Sequence, residues 1–147
     1  MNLKEQLEKD LLESMRQKDE LKKRAIRLTL SSIKLIELEK GPLDDLGLIS
    51  VLQKEIASRQ ETIKDSEKAN REDLIKINQE EIEFLKTYLP EELSDEKLKE
   101  LAISAIQETG AVGAQDMGKV MKIVLPNVAG RAPNSRVSQM VKELLSN

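Results

Sequence analysis

Five cationic side chains near the end of the chain are the residues whose types and spacing suggest chemistry. Between Met117 and Lys142 the sequence contains lysines and arginines but no acidic residue. The five cations of this run are Lys119, Lys122, Arg131, Arg136 and Lys142. Side chains of these two types contact the backbone phosphates of nucleic acids. The run is therefore the predicted contact surface for a polyanion.

The composition of the whole chain limits the kind of polyanion binding that is expected. The 147 residues include 27 acidic and 24 basic side chains, which gives a net charge of −3. A nucleic-acid site must then be a local patch rather than the whole surface. Only two aromatic residues are present, Phe84 and Tyr88. Proteins that bind single strands stack several bases on aromatic side chains, so this mode of binding is not expected.

The residues needed for most kinds of catalysis are missing from the sequence. There is no cysteine and no histidine, which excludes Cys–His nucleophile pairs, Ser-His-Asp triads and nearly all zinc sites. No phosphate-binding glycine motif occurs, and no base is visible beside the serines. We therefore predict no catalytic residue, no cofactor and no metal site.

Two features of the sequence lead to an expected location. The first residues carry charges where a secretory signal needs an apolar run. No apolar stretch approaches the roughly 20 residues of a membrane-spanning helix. We therefore expect a soluble, cytoplasmic protein without a membrane partner.

Apolar residues recur at helical spacing along the chain, and no long segment alternates with period two. We predict an all-α protein with a boundary at Pro90, which disfavours helix at the residue before it. A four-helix N-terminal domain, residues 1–90, precedes a three-helix C-terminal domain, residues 91–147. The helices are predicted at about residues 3–17, 20–40, 45–67, 71–88, 95 to near 110, 116–125, and 133 or 134 to 145.

Local signals support these helix boundaries. Asp19, Asp44 or Asp45, Asn70 and Ser94 are the predicted N-terminal caps. A loop is predicted from Pro126 to Ala132, because proline interrupts the helical hydrogen-bond pattern.

The second predicted helix carries apolar residues on more than one face, which predicts that it lies at the centre of the N-terminal bundle. These residues are Leu21, Ile26, Leu28, Ile33, Leu35, Ile36 and Leu38. In the two helices that follow, Glu81 falls within an apolar stripe and Arg59 at the edge of another. We predict an ion pair between them, because a buried carboxylate needs a partner. The alternative is that Glu81 reaches solvent along a loosely packed seam.

The sixth predicted helix separates apolar and cationic residues. Its apolar stripe includes Met117 and Met121, which we interpret as core residues, whereas Lys119 and Lys122 lie on the opposite face. Gly118 costs about 1 kcal/mol relative to alanine inside a helix. It would allow a neighbouring helix or a phosphate backbone to approach closely. The alternative for the cations is an ordinary solvated helix face.

Several segments of the sequence resemble the YqeY family. Its members are the free-standing relatives of the C-terminal tail domain of GatB, a component of the tRNA-dependent aspartyl/glutamyl amidotransferase. The matching residues are Asn70–Leu74, Tyr88–Glu96, Asp116–Met121, Pro126 and Gly130–Ala132. The resemblance spans nearly the whole chain. It departs from the family pattern at Pro133 and Asn134, where the family often has Asp-Gly.

The resemblance implies an all-helical protein of two parts and a link to carbon–nitrogen ligase activity with glutamine as the amide donor. In complete GatB the tail resembles a tRNA-contacting module, and catalysis belongs to a portion that has no counterpart here. We therefore expect a tRNA-binding accessory module, with amidotransferase or aminoacyl-tRNA synthesis proteins as further partners. The alternatives are a helical protein–protein adaptor that uses an apolar groove between the domains, and an enzyme in its own right.

Overall fold

The computed structural model describes residues 2–146, and the part of the chain that it describes is all-helical, as predicted. Seven α-helices and one 3₁₀ turn follow each other in this range without a β-strand. The α-helices are α1 (Leu3–Arg16), α2 (Glu20–Lys40), α3 (Asp45–Lys68), α4 (Glu72–Lys86), α5 (Asp95–Thr109), α6 (Met117–Val128) and α7 (Asn134–Ser146). The 3₁₀ turn, Ala114–Asp116, directly precedes α6.

The helices are grouped into two compact units along the chain. The first unit, Met1–Leu89, contains α1 to α4, and the second unit, Pro90–Asn147, contains α5 to α7. In the second unit all three helices contribute valine, leucine or alanine side chains to one buried cluster, which includes Leu98, Val124 and Val141. In the first unit, Leu7, Ile26 and Ile33 belong to one buried cluster.

Three of the predicted helix caps are confirmed. Asp19 accepts a hydrogen bond from the backbone of Lys22, Asp44 from Gly47, and Ser94 from Lys97. Each bond satisfies an amide of the first helical turn that has no partner within the helix.

The predicted cap at Asn70 is wrong. Asn70 has φ of +55° and ends α3 in the left-handed conformation, while the backbone amide of Arg71 donates to the carbonyl of Ser66 at 2.9 Å. Asparagine tolerates this conformation better than most residues. The asparagine therefore closes the preceding helix, and α4 begins at Glu72 without a side-chain cap.

Helix α6 continues three residues further than predicted. Pro126 lies within its last turn, and the helix ends at Val128, followed by Ala129, which is left-handed with φ of +51°. Proline removes one hydrogen bond there, but its fixed φ is helical. The amide of Ala129 donates to the carbonyl of Leu125 at 3.0 Å, which closes the turn beyond the proline.

Helix α2 is packed on one side only. Ile26 and Ile33 are fully buried, whereas Leu28, Leu35 and Leu38 are 42%, 66% and 74% exposed. The prediction that α2 lies at the centre of the N-terminal bundle is therefore correct only in part, because α2 contacts all the other helices of the first unit but its apolar residues are not all buried. The helices that contact α2 are α1, α3 and α4, and they leave these three leucines uncovered.

The predicted ion pair between Arg59 and Glu81 is confirmed. Arg59 Nε donates to Glu81 Oε2 at 3.1 Å, and both residues are buried. Arg59 Nη1 also donates to the backbone carbonyl of Glu55 at 2.9 Å and to its carboxylate at 3.0 Å. The hydroxyl of Ser32 donates to the same carboxylate. A buried charge is tolerated only when it is paired in this way.

Removal of the buried guanidinium should strongly destabilise the first unit. We expect Arg59→Met to lower the free energy of unfolding by about 3–5 kcal/mol, because Glu81 then loses this hydrogen-bond donor in a buried position. Urea denaturation followed by circular dichroism measures this change. The control Lys64→Met removes an exposed lysine paired with Glu61 and should cost less than about 1 kcal/mol. Equal effects of the two substitutions would contradict the assignment.

Candidate nucleic-acid interface

Helix α6 directs two of the predicted cations to solvent. Val120, Val124 and Val128 are buried on one side of the helix. Lys119 and Lys122 are exposed and lie three residues apart, so they share the outer face. Among the described residues, Lys122 forms no ion pair and Lys119 approaches only one carboxylate. These two ammonium groups are therefore available to an anion from solvent.

The carboxylate near Lys119 belongs to Asp116. The distance from Lys119 Nζ to Asp116 Oδ1 is 3.9 Å, and the lysine side chain is 74% exposed. Asp116 is held by a different interaction, because its Oδ2 accepts a hydrogen bond from the backbone amide of Val112 at 3.1 Å. A long, exposed ion pair of this kind contributes little to stability. It does not prevent Lys119 from binding another anion.

Gly118 leaves the backbone of α6 uncovered beside these lysines. The residue is exposed, and a Cβ atom added to it would meet no atom within 4 Å. The expectation that Gly118 accommodates a neighbouring helix is therefore wrong. Packing within the described part of the chain does not require a glycine here. The other expectation, that a phosphate backbone approaches closely, stays a prediction. The backbone of α6 is exposed at Gly118, on the solvent side that also carries Lys119 and Lys122.

Lys142 lies in a different setting, at an open groove between α7 and the beginning of α6. The side chain is exposed and turned away from the buried residues Val137 and Val141. The residues that line the groove are Met117, Ser135, Ser138, Gln139, Lys142, Glu143 and Ser146. Three hydroxyl groups, one amide and one ammonium group share this surface with the carboxylate of Glu143, which accepts a hydrogen bond from the side-chain amide of Gln139. Hydroxyl, amide and ammonium groups bind phosphate and sugar oxygens, whereas the carboxylate repels them.

The two arginines of the run are directed at a segment of the same unit that precedes α5. Arg131 Nε donates to the backbone carbonyl of Glu91 at 2.9 Å, and the residue is otherwise exposed. Arg136 donates to Asp95 at 2.6 Å, to Glu92 at 3.1 Å and to the carbonyl of Leu93 at 2.8 Å. The two carboxylates neutralise Arg136. Arg136 is therefore not a free cation in this structure, because its donors join α7 to the start of α5.

The five predicted cations therefore do not form one uniform group. Lys119 and Lys122 share a face of α6, Lys142 lies at the groove, and the two arginines anchor the segment before α5. The sequence window shows no acid near Arg136, but Glu92 and Asp95 are more than 40 residues away in the chain. A count of charges in a local window cannot detect such partners. The serines of the groove were not predicted, although their helical spacing on α7 is visible in the sequence.

Comparison with protein families agrees with this architecture. The model of the YqeY-like protein family matches residues 4–145. The chain belongs to the YqeY family. The match includes both compact units and all five cations. The predicted resemblance to this family is therefore confirmed.

Curated relatives of this YqeY family member are proteins named "Altered inheritance of mitochondria protein 41, mitochondrial". The protein of Vanderwaltozyma polyspora is 34% identical over 76% of the chain and 64% of its own length. That of Candida glabrata is 41% identical over 58% of the chain and 48% of its own length. That of Clavispora lusitaniae is 32% identical over 94% of the chain and 84% of its own length. The chain thus spans about half to two thirds of the first two relatives.

The names of these relatives contradict the expected cytoplasmic location, because all three are mitochondrial proteins. The error has a physical cause. The expectation came from the charged first residues and the lack of a long apolar stretch, and neither feature distinguishes one aqueous compartment from another. Among the described residues, no helix has the length and apolar character needed to cross a membrane.

Arg136 and Lys142 should contribute differently to the free energy of unfolding, because only Arg136 bonds to other parts of the unit. We expect Arg136→Ala to lower the free energy of unfolding by about 1–2 kcal/mol, since it removes bonds to two carboxylates and a part-buried carbonyl. The control Lys142→Ala removes an exposed cation that has no ion pair within residues 2–146, and it should change stability by less than about 0.5 kcal/mol. Urea denaturation of the two variants provides the comparison. A neutral effect of Arg136→Ala would contradict the anchoring role.

Proposed function

We propose that this YqeY family member is a tRNA-binding accessory module, and that its second compact unit is a separate domain that contacts the RNA. Lys119, Lys122 and Lys142 contact backbone phosphates, and Arg131 is a further exposed cation of the same unit. Arg136 positions the segment before α5 and does not contact RNA. The contacts are made to phosphates, so the module recognises the shape of a folded RNA rather than its base sequence.

The observation that carries this proposal is the open backbone of Gly118, which lies beside Lys122 on the exposed side of α6, with Lys119 further round the same side. A glycine at an exposed helical position lowers helix stability without any benefit to packing in the described part of the chain. A phosphate backbone can approach this exposed position more closely than it can approach a helix face covered by side chains. The two nearby ammonium groups then neutralise the approaching charge.

The proposed biochemical context is glutamine-dependent amidation of tRNA-bound amino acids. This part of the proposal is supported by the resemblance to the tail of GatB. The chain would supply recognition, and a separate ligase would supply carbon–nitrogen bond formation. The proposed partners are therefore tRNA and an amidotransferase or another protein of aminoacyl-tRNA synthesis.

Binding of tRNA tests the proposal directly. We expect the triple variant Lys119→Ala, Lys122→Ala and Lys142→Ala to weaken binding to a tRNA mixture at least tenfold. The slope of log affinity against log salt should fall by about 2–3, because each lost phosphate contact removes nearly one unit. Filter binding at several salt concentrations gives both quantities.

A control triple variant has the same change in net charge. Lys9, Lys54 and Lys76 are exposed lysines of the first unit that form no ion pair among the described residues. Their replacement by alanine should leave affinity and salt slope nearly unchanged. Equal losses in both triple variants would reveal a general effect of charge. No salt-dependent binding by the unmodified chain would end the proposal.

A single substitution separates binding from stability. We expect Gly118→Ala to raise the free energy of unfolding by about 0.5–1 kcal/mol and to weaken tRNA binding, because the methyl group covers the open backbone. Thermal unfolding and filter binding measure the two effects. A gain in stability with unchanged affinity would show that phosphates do not approach the helix at this position.

A second candidate function is a helical protein–protein adaptor that does not bind RNA. The observation that favours it is the exposure of Leu28, Leu35 and Leu38 on α2, since isolated apolar residues are common on surfaces but a stripe of them marks an interaction face. Absence of salt-dependent tRNA binding would favour this candidate.

A further inference from the structure

The outer face of α2 carries a stripe that combines apolar residues with opposite charges at its ends. At 100° per residue, Arg24, Leu28, Ser31, Leu35 and Glu39 lie within a narrow sector of the helix. All five are exposed. Leu38 lies beside the same sector and is 74% exposed. The sector faces away from Ile26 and Ile33, which are buried in the core of the first unit. We call these six residues, Arg24, Leu28, Ser31, Leu35, Leu38 and Glu39, the α2 stripe.

Two pairs of residues in the α2 stripe are placed symmetrically about its midpoint, whereas Leu38 has no exposed counterpart. Leu28 and Leu35 are equally far from the midpoint between Ser31 and Ser32, and so are Arg24 and Glu39. When two copies of the helix are placed antiparallel about this midpoint, each Leu28 lies opposite a Leu35. Each Arg24 then lies opposite a Glu39. A surface that pairs with itself in this way suits an interface with twofold symmetry.

The small residue at the midpoint also fits close packing of two helices. Ser31 is exposed and lies where the two helix axes would be nearest to each other. A small side chain at such a point permits a short distance between helices, so that larger neighbours on either side come into contact. Leucines seven residues apart provide those neighbours.

The charged ends of the α2 stripe are incompletely paired within one copy. Glu39 forms no ion pair with any described residue of its own chain. Arg24 Nη1 lies 3.6 Å from Glu81 Oε1, without a hydrogen bond, and the arginine side chain is mostly exposed. Glu81 Oε1 is itself buried and accepts no hydrogen bond within residues 2–146. Both ends of the stripe therefore retain capacity for a partner of opposite charge.

We propose that the α2 stripe is the interface of a homodimer, in which α2 packs antiparallel against α2 of a second copy. Leu28 and Leu35 of the two copies form its apolar centre, and Arg24 and Glu39 pair across both ends. The apolar part contains few side chains, which is typical of weak interfaces rather than obligate ones. The dimer therefore forms reversibly as the protein concentration rises.

Sedimentation equilibrium of the full chain tests this interface. The weight-average mass should rise from 16.6 kDa toward twice that value as the concentration approaches the millimolar level. Leu35→Glu should keep the protein monomeric, because it places a carboxylate in the apolar centre. Leu12→Glu is the matched control: Leu12 lies on α1 and is 62% exposed, close to the 66% of Leu35. This control should associate like the unmodified chain.

Charge reversal tests the antiparallel arrangement. Glu39→Arg alone and Arg24→Glu alone should each weaken self-association at least tenfold, since each brings like charges together at both ends. An equimolar mixture of the two variants should regain association, because opposite charges then meet at both ends. Circular dichroism confirms that each variant is folded. If Arg24→Glu unfolds the chain through its effect on Glu81, the comparison of Leu35→Glu with Leu12→Glu decides alone.

Three results would overturn the proposal. The first is a constant monomer mass at every concentration. The second is equal behaviour of Leu35→Glu and Leu12→Glu. The third is a mixture of folded charge variants that associates no better than either variant alone.

Discussion

One buried guanidinium holds the first compact unit together. Arg59 of α3 bonds to Glu81 of α4 and to Glu55 of its own helix, and Ser32 of α2 bonds to Glu55 in turn. Any rotation or sliding of these helices would leave a buried charge without its partner, which is strongly unfavourable. The network therefore determines which face of α2 meets the core. The opposite face, with Leu35, remains outside as a consequence.

In the second unit, the arginines and the lysines of the cationic run make different contacts. Arg136 uses several donors of its planar guanidinium to join two carboxylates and a carbonyl, and Arg131 bonds a carbonyl. A lysine offers a compact charge on a flexible stem and is less suited to such multiple contacts. Lys122 and Lys142 accordingly have no ion pair among the described residues. The two arginines therefore stabilise the fold of this unit, whereas the two lysines remain available to bind a ligand.

The two surfaces of interest belong to different units and have different chemistry. The lysines and the open backbone at Gly118 lie in the second unit and suit a polyanion. The α2 stripe lies in the first unit and combines leucines with one charge of each sign, which suits a second copy of itself. Because the two surfaces share no residue, a change in one of them leaves the chemistry of the other intact.

The amino-acid sequence by itself determined the helical class, most of the helix boundaries and the pair between Arg59 and Glu81. The helical class and the boundaries depend on local propensity, on capping and on the periodicity of apolar residues, all of which act over a few neighbouring positions. The pair joins two helices, and it was predictable because both residues fall on or beside apolar stripes, where a buried charge needs a partner. Membership of the YqeY family was also visible in its motifs. Only the tertiary structure decided that Arg136 is neutralised, that Leu35 is uncovered and that no neighbouring helix among the described residues lies over Gly118. Each of these depends on how elements distant in the chain pack against one another, which the local patterns in the sequence did not reveal.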